Sequence, residues 1–392
     1  MKVCYIHFEM DETWGLQMEK MRIFRPTLLL DRKRAIANIH RMAAKAANSR
    51  VRFRPHFKTH QSAQIGEWFR EFGVDLITVS SVEMAQYFAQ HGWQDITIAF
   101  PVNILEIEAI NELASSIHLS LLVESEQTAA FLDRNLQHQV GVWLKIDVGY
   151  HRTGVSWDRF NEVIALACLI GRSKKMAFTG LLTHAGHAYR ACSAAEVMKI
   201  YRDMVEKLQQ LQQKLIENGF SGTAISIGDT PCCSVMDDFS GVDEIRPGNF
   251  VFYDVMQLTI GSCAEQDIAV AVACPVVAKH RERNEIVIYG GAVYLSKEFI
   301  VDNQGNKIFG YVAPFEGRGW GAVIPHTYVS ALSQEHGIIK TDPQFFDQVR
   351  IGDLLAILPV HSCLAVPLLR SYLTLEGETI STMHSTPITQ LT

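Results

Sequence analysis

The chain has 392 residues, 48% hydrophobic and 20% charged, which is enough apolar material for two packed domains or one large barrel with an addition. Its formal net charge of −6 argues against a nucleic acid or an anionic membrane as the main partner. Acidic residues at Glu9, Asp11 and Glu12 break any secretory h-region, the longest apolar run (268–278) is too short to span a bilayer and contains Pro275, and eight scattered cysteines with no C-x-x-C spacing predict reduced thiols in a cytoplasmic protein.

In chain order, a β-type run at 27–30 comes first. Eight more follow at 51–54, 76–79, 96–100, 118–123, 142–147, 178–184, 224–228 and 244–251. Helical patterns separate most of them, among them 61–72, 81–90, 125–136, 157–173 and 195–218. Ser81 and Ser125 stand where N-caps belong, and Gly73, Gly92 and Gly219 stand just past helix ends. This alternation predicts an α/β fold, a (β/α)8 TIM barrel, over residues 25–260. An open doubly wound sheet is the rival, because strand order is not written in one sequence. The run at 27–30 is expected outside the barrel or at the domain junction. Past Val251 the pattern changes. Strand-like runs at 268–277, 285–289, 308–312, 354–359 and 372–376, punctuated by Gly and Pro and free of long helices, predict a second, C-terminal all-β domain that begins near 258–263.

Barrel enzymes carry their sites at strand C-termini, so the segments there are the ones to read for chemistry. Arg54-Pro55-His56-Phe57-Lys58-Thr59-His60 ends the first barrel strand. Partial burial and the neighbours Arg54, His56 and His60 are expected to lower the pKa of Lys58, giving the neutral amine that Schiff-base chemistry requires. A solvated lysine beside a basic loop is the bland alternative. Asp147 to Gly154 offers two glycines for close backbone approach and Arg152, either for the cleft or for a structural salt bridge. Thr183 to Tyr189 offers an imidazole for ring stacking and a phenol, residues that elsewhere often serve packing alone. Gly228-Asp229-Thr230-Pro231 and Arg246-Pro247-Gly248-Asn249 end the last two strands, where barrel phosphate sites commonly lie, though ordinary turns read the same way. His361-Ser362-Cys363, if on a strand, puts an imidazole and a thiol on one face, a pair that can share a zinc ion. No Walker or G-x-G-x-x-G motif is present.

Together, RPHFKTH (54–60), DVGYHRTGV (147–155), THAGHAY (183–189), SIGDTP (226–231), EIRPGNFVFYD (244–254), QEHG (334–337) and HSC (361–363) occur in an order that resembles the D-threonine aldolase and metal-dependent D-serine dehydratase family of fold-type III pyridoxal-phosphate enzymes, and more distantly the alanine racemases. The resemblance implies that Lys58 carries pyridoxal 5'-phosphate in a Schiff base. It implies that Arg152 meets the pyridine nitrogen, a role for which Arg246 competes. It puts His184, Tyr189 and Tyr253 beside the cofactor, and Gly228, Asp229, Thr230, Gly248 and Asn249 at its phosphate. It makes His361 and Cys363 ligands of Zn2+ or another divalent metal, and it places His336 in the same cleft without a role. It further implies a head-to-tail homodimer and joins residues 1–24 to the β-domain of 261–392.

The expected substrate is a small D-amino acid. H-x-C resembles the dehydratases, whereas the aldolases more often carry H-x-D, which favours β-elimination from D-serine or D-threo-3-hydroxyaspartate to a keto acid and ammonia. A threonine aldolase giving glycine and an aldehyde is the alternative, supported by the THAGHAY segment. An amino-acid racemase and a non-catalytic cofactor carrier rank behind it.

Overall fold

The structure, a computed structural model, describes residues 23–385. The expectations for the N-terminal segment, apart from its last two residues, fall on residues 1–22 and lie outside the described residues.

Strand β1 (Thr27–Leu30) is followed by helix α1 (Arg32–Ser49), whose N-cap Asp31 accepts a hydrogen bond from the Arg34 amide. The helix buries Ala35, Ile39, Met42 and Ala46, one face at helical spacing. Its small alanines give little hydropathy contrast, which is why the sequence did not mark it.

The barrel strands are β2 (Arg52–Phe53), β3 (Leu76–Val79), β4 (Asp95–Pro101), β5 (His118–Val123), β6 (Val140–Asp147), β7 (Met176–Leu182), β8 (Ala224–Ile227) and β9 (Glu244–Ile245). They pair in the order β2-β9-β8-β7-β6-β5-β4-β3, all in parallel. Thr78 of β3 then bonds back to the segment after β2, donating to the Pro55 carbonyl at 2.9 Å and accepting from the Phe57 amide at 2.9 Å. That contact closes the sheet and excludes the open doubly wound alternative. Helix α2 (Ala63–Arg70), α3 (Val82–Gln90), α4 (Ile107–Ala114), α5 (Glu126–Asn135), α6 (Phe160–Arg172) and α7 (Ala194–Glu217) form the outer layer. Ser81 and Ser125 cap α3 and α5 as their positions predicted. The expected strand at 244–251 stops after Ile245, because Pro247 has no amide to donate and the chain turns into a 3-10 segment at Asn249–Val251.

β6 is buried on both faces, as a parallel strand between helices and lumen must be. Trp143 packs with Leu122 and Leu182 in a small cluster. By the two-residue period of a strand, Lys145 lies on the same face as Trp143, further toward the strand's C-terminal end.

The second domain is built from β10 (Val270–His280), β11 (Glu285–Tyr289), β12 (Gly310–Glu316), β13 (Tyr328–Leu332), β14 (His336–Lys340), β15 (Leu354–Pro359), β16 (Ser371–Thr374) and β17 (Thr379–Ser381). Six of these run β11-β14-β13-β12-β15-β10, and β11 also pairs with β10, so this antiparallel sheet too curls closed. β1 lies between β10 and β16, antiparallel to the first and parallel to the second. The strand that precedes the barrel in sequence thus belongs to the second sheet, with Leu28, Leu29 and Leu30 buried there. Among the described residues no helix is long and apolar enough to cross a membrane.

Candidate active site

A cavity of about 370 Å³ opens where the barrel's strand ends meet the second domain. Lys58, Arg152, His184, Tyr189, Gly228, Asp229, Thr230, Arg246, Gly248, Asn249, His361 and Cys363 all line it, though they are spread over more than 300 positions of sequence. Tyr253 does not. Its φ of 50° marks a tight turn out of the 3-10 segment, and its buried hydroxyl lies 3.1 Å from Ser234 Oγ. His336 does not line the cavity either; it is exposed at the start of β14.

Lys58 follows the closing contact of the barrel and is half-buried, and its ammonium makes no hydrogen bond among the described residues. Burial lowers its pKa; the Cys363 thiolate opposes this, and Arg152 and Arg246 add to the lowering. The direction agrees with the sequence expectation, but the neighbours differ. Arg54 is committed elsewhere, in ion pairs with Glu244 and Asp95. His60 is fully buried against Phe57 and Phe69, where burial pushes its imidazole to about 3. His56 stays at the site: it lines the cavity, and burial together with the nearby ammonium of Lys58 holds it neutral.

Arg246 sits at the end of a buried polar chain. Its Nε donates to Ser226 Oγ at 2.6 Å, and its Nη2 donates to the Thr183 carbonyl at 2.7 Å. Ser226 donates in turn to Glu244 at 2.7 Å, and Glu244 accepts from Arg54 at 2.8 Å. Burial lowers the Arg246 pKa to about 10, with Glu244 opposing, so the group stays charged at neutral pH. Its Nη1 carries no hydrogen bond among the described residues. Arg152, by contrast, is exposed and lies over the Tyr150 ring at 5.0 Å. His184 donates through Nδ1 to the Gly228 carbonyl, which fixes its tautomer. Burial, with Lys58 and Arg152 nearby, keeps that imidazole neutral.

His361 and Cys363 are not on a strand. β15 ends at Pro359, His361 is the N-cap of helix α9 (Ser362–Leu369), and Cys363 lies in its first turn. The two still converge, because Asp254 holds the turn. Its fully buried carboxylate accepts from the Ser362 amide at 2.9 Å and from Asn249 Nδ2, and lies 3.5 Å from His361 Nδ1. Cys363 Sγ is 3.3 Å from Thr59 Oγ1 and 3.5 Å from Asn249 Nδ2. Burial raises the Cys363 thiol, but the charge and hydrogen bond of His361 outweigh it and bring it to about 7. His361 is driven well above its ordinary range: burial opposes this, and Cys363 and Asp254 prevail. A thiol ready to ionise, an imidazole and a carboxylate behind that imidazole fit a soft divalent metal with an orienting carboxylate. Among the described residues, no three His, Cys, Asp or Glu side chains converge to hold such an ion, so other ligands must complete the shell.

The cofactor walls fit as well. A Cβ on Gly248 would come within 2.8 Å of the His56 carbonyl, and one on Gly228 within 3.0 Å of Arg246. Both backbones therefore approach the cavity as only glycine allows. Asp229 caps helix α8 (Thr230–Val235), accepting from the Cys232 amide at 2.8 Å through one oxygen, while its buried second oxygen has no partner. Burial raises its pKa to about 6, with Cys232 and Arg246 opposing. A carboxyl raised in the folded state contributes stability that is fully present below about pH 4 and lost as pH rises through about 6. In the apoprotein Asp229→Asn, which keeps the cap, is expected to gain about 3 kcal/mol at pH 8 and little at pH 4 in urea unfolding. An equal effect at both values would assign the shift elsewhere.

Sequence reading did not assign His56, Tyr150, Arg190, Asp254 or Glu298. The first four sit in or beside the quoted motifs, so their strand-end positions were a usable signal. Glu298 lies in the second domain and reaches the cavity only through the tertiary fold.

A family model for the alanine racemase N-terminal domain matches residues 30–255, and a serine dehydratase domain model matches residues 269–375. The chain is 28% identical over 359 residues to the D-serine dehydratase of Dictyostelium discoideum, covering 86% of this chain and 89% of that protein. It is 28% identical over 351 residues to the D-threo-3-hydroxyaspartate dehydratase of Delftia sp. (strain HT23), covering 86% and 90%. The solved structure of the latter superposes with a TM-score of 0.85 at 26% identity, over 93% of this chain and 99% of that one.

Proposed function

The chain belongs to the alanine racemase N-terminal domain family, and from that footing we propose that it is a pyridoxal-phosphate-dependent lyase that eliminates the β-hydroxyl of a D-3-hydroxy amino acid, yielding a keto acid and ammonia. One observation carries the reading: a single cavity joins the pKa-lowered lysine of the barrel to the thiol–imidazole pair of the second domain. The dehydratase relatives support it.

Pyridoxal phosphate, held by Lys58, would supply an electron sink that acidifies the bond to the α-hydrogen, and zinc, held by His361 and Cys363, would supply a Lewis acid for the β-hydroxyl, the thiolate favouring it over harder divalent ions. The ε-amine of Lys58 would take the α-proton. Gly228, Thr230 and Gly248 bring backbone close enough to cradle the phosphate. Asp229 serves as the cap that shapes this turn, and Asn249 supports the metal side through Asp254 and Cys363. We assign the pyridine nitrogen to Arg246 rather than Arg152, because Ser226 and Thr183 anchor its guanidinium inside the barrel. A group that does not yield its proton leaves that nitrogen unprotonated. His184 offers a neutral ring to the cofactor's face, and Tyr189, raised well above its ordinary range by burial and by Cys363, stays protonated as a donor.

Zinc-loaded holoprotein given D-serine, D-threonine and D-threo-3-hydroxyaspartate separately is expected to release keto acid and ammonia, and to stop on chelation. Glycine plus an aldehyde from D-threonine would identify an aldolase with an H-x-C site, and racemisation without elimination would remove the lyase reading. The proposal extends to a cytoplasmic homodimer. The seven described cysteines are all free, and light scattering of the holoprotein tests the dimer.

A further inference from the structure

We propose that Arg190 anchors a second, side-chain carboxylate, so that the preferred substrate is a D-3-hydroxy amino acid with two carboxylates rather than D-serine. This rests on the lyase reading above. Arg190 closes a 3-10 turn, Gly186–Arg190, that leaves β7 and lines the cavity. Its guanidinium makes no hydrogen bond, ion pair or ring contact among the described residues. The turn is fixed on both sides. Gly186 packs so closely on Tyr150 that a Cβ would lie 2.3 Å from the ring, and the Tyr189 hydroxyl accepts from the Thr230 amide at 3.4 Å. The next residue, Arg190, is thereby held at the cavity.

The two wall arginines come from different strand-end segments, Arg152 after β6 and Arg190 after β7, and both line the cavity. D-Serine brings one carboxylate, and Arg152, near enough to Lys58 to depress its ammonium, is placed to take it. A second, unpaired guanidinium in the same cavity is matched by a carboxylate on the β-carbon, in a charge-assisted, fork-shaped contact. Glu298 lines the same cavity without pairing Arg190 and repels a carboxylate from its own side, which directs the distal group to the arginine.

The test is calorimetric binding of D-aspartate and D-alanine, neither of which has a β-hydroxyl to lose, to the holoprotein. D-Aspartate is expected to bind about 10- to 100-fold more tightly. Arg190→Ala is expected to remove that preference while leaving D-alanine within about twofold, and Arg190→Lys to keep part of it. The ratio of turnover on D-threo-3-hydroxyaspartate to that on D-serine should fall in parallel. A preference that survives Arg190→Ala, or an equal weakening of both amino acids, overturns the assignment and leaves the lyase reading intact. The second result would make Arg190 the α-carboxylate anchor. Binding of neither amino acid by the wild-type holoprotein overturns both.

Discussion

Reduced with borohydride, Lys58→Ala protein is expected to retain no covalently attached pyridoxal phosphate, and its turnover of D-3-hydroxy amino acids is expected to fall at least about 10⁴-fold. The wild-type protein should keep the label on the peptide containing Lys58, read by mass spectrometry. The expectation follows from the position of the side chain. Lys58 follows the contact that closes the barrel, its ammonium has no hydrogen-bond partner among the described residues, and burial with Arg152 and Arg246 lowers its pKa against the pull of Cys363. Near neutral pH a larger share of its amine is therefore free than in an ordinary lysine. Uptake of the cofactor by the apoprotein should accordingly level off below the pH range of free lysine. Lys58→Arg keeps the positive charge but lacks a usable nucleophile, and should fail in the same way. A linkage that persists in Lys58→Ala would remove the site assignment altogether.

Cys363→Ala is expected to lose bound zinc and about 10³-fold in dehydration, while keeping the borohydride-reducible cofactor. The two readouts separate the metal role from damage to the barrel. Cys363 and His361 come from the second domain, whereas Lys58 and the glycine cradle come from the first. His361→Ala should behave likewise. Zinc content measured on the purified proteins, with activity before and after chelation, decides the matter. If either variant kept full activity, the thiol–imidazole pair would be a structural contact held by Asp254 and not a metal site.

The strands at 76–79, 118–123, 285–289 and 354–359 were legible to the residue, because each is a short apolar run bounded by turn residues. The caps Ser81 and Ser125 were legible because a helix start leaves amides that only a few side chains can satisfy. Helix α1 was not, since alanines blur its apolar face. β13 and β14 were not, since half-buried strands with Ser330, His336 and Gly337 carry weak alternation.

By itself the sequence determined the reactive inventory and its order along the chain: a lysine, two arginines, two glycine turns and an imidazole–thiol pair, each at the end of a strand-like run or just beyond it. These are local signals, set by residue type and by spacing of a few positions. What only the tertiary structure decided was which of them meet. β1 joins the second sheet across more than 240 residues, Asp254 folds the HSC segment into a helix start facing Lys58, and Ser226 with Thr183 draws Arg246 inward while Arg152 and Arg190 stay at the wall. Those choices depend on barrel closure and on buried hydrogen bonds between residues far apart in sequence. Such bonds form only when the whole chain has collapsed around them, and no short stretch of sequence records them.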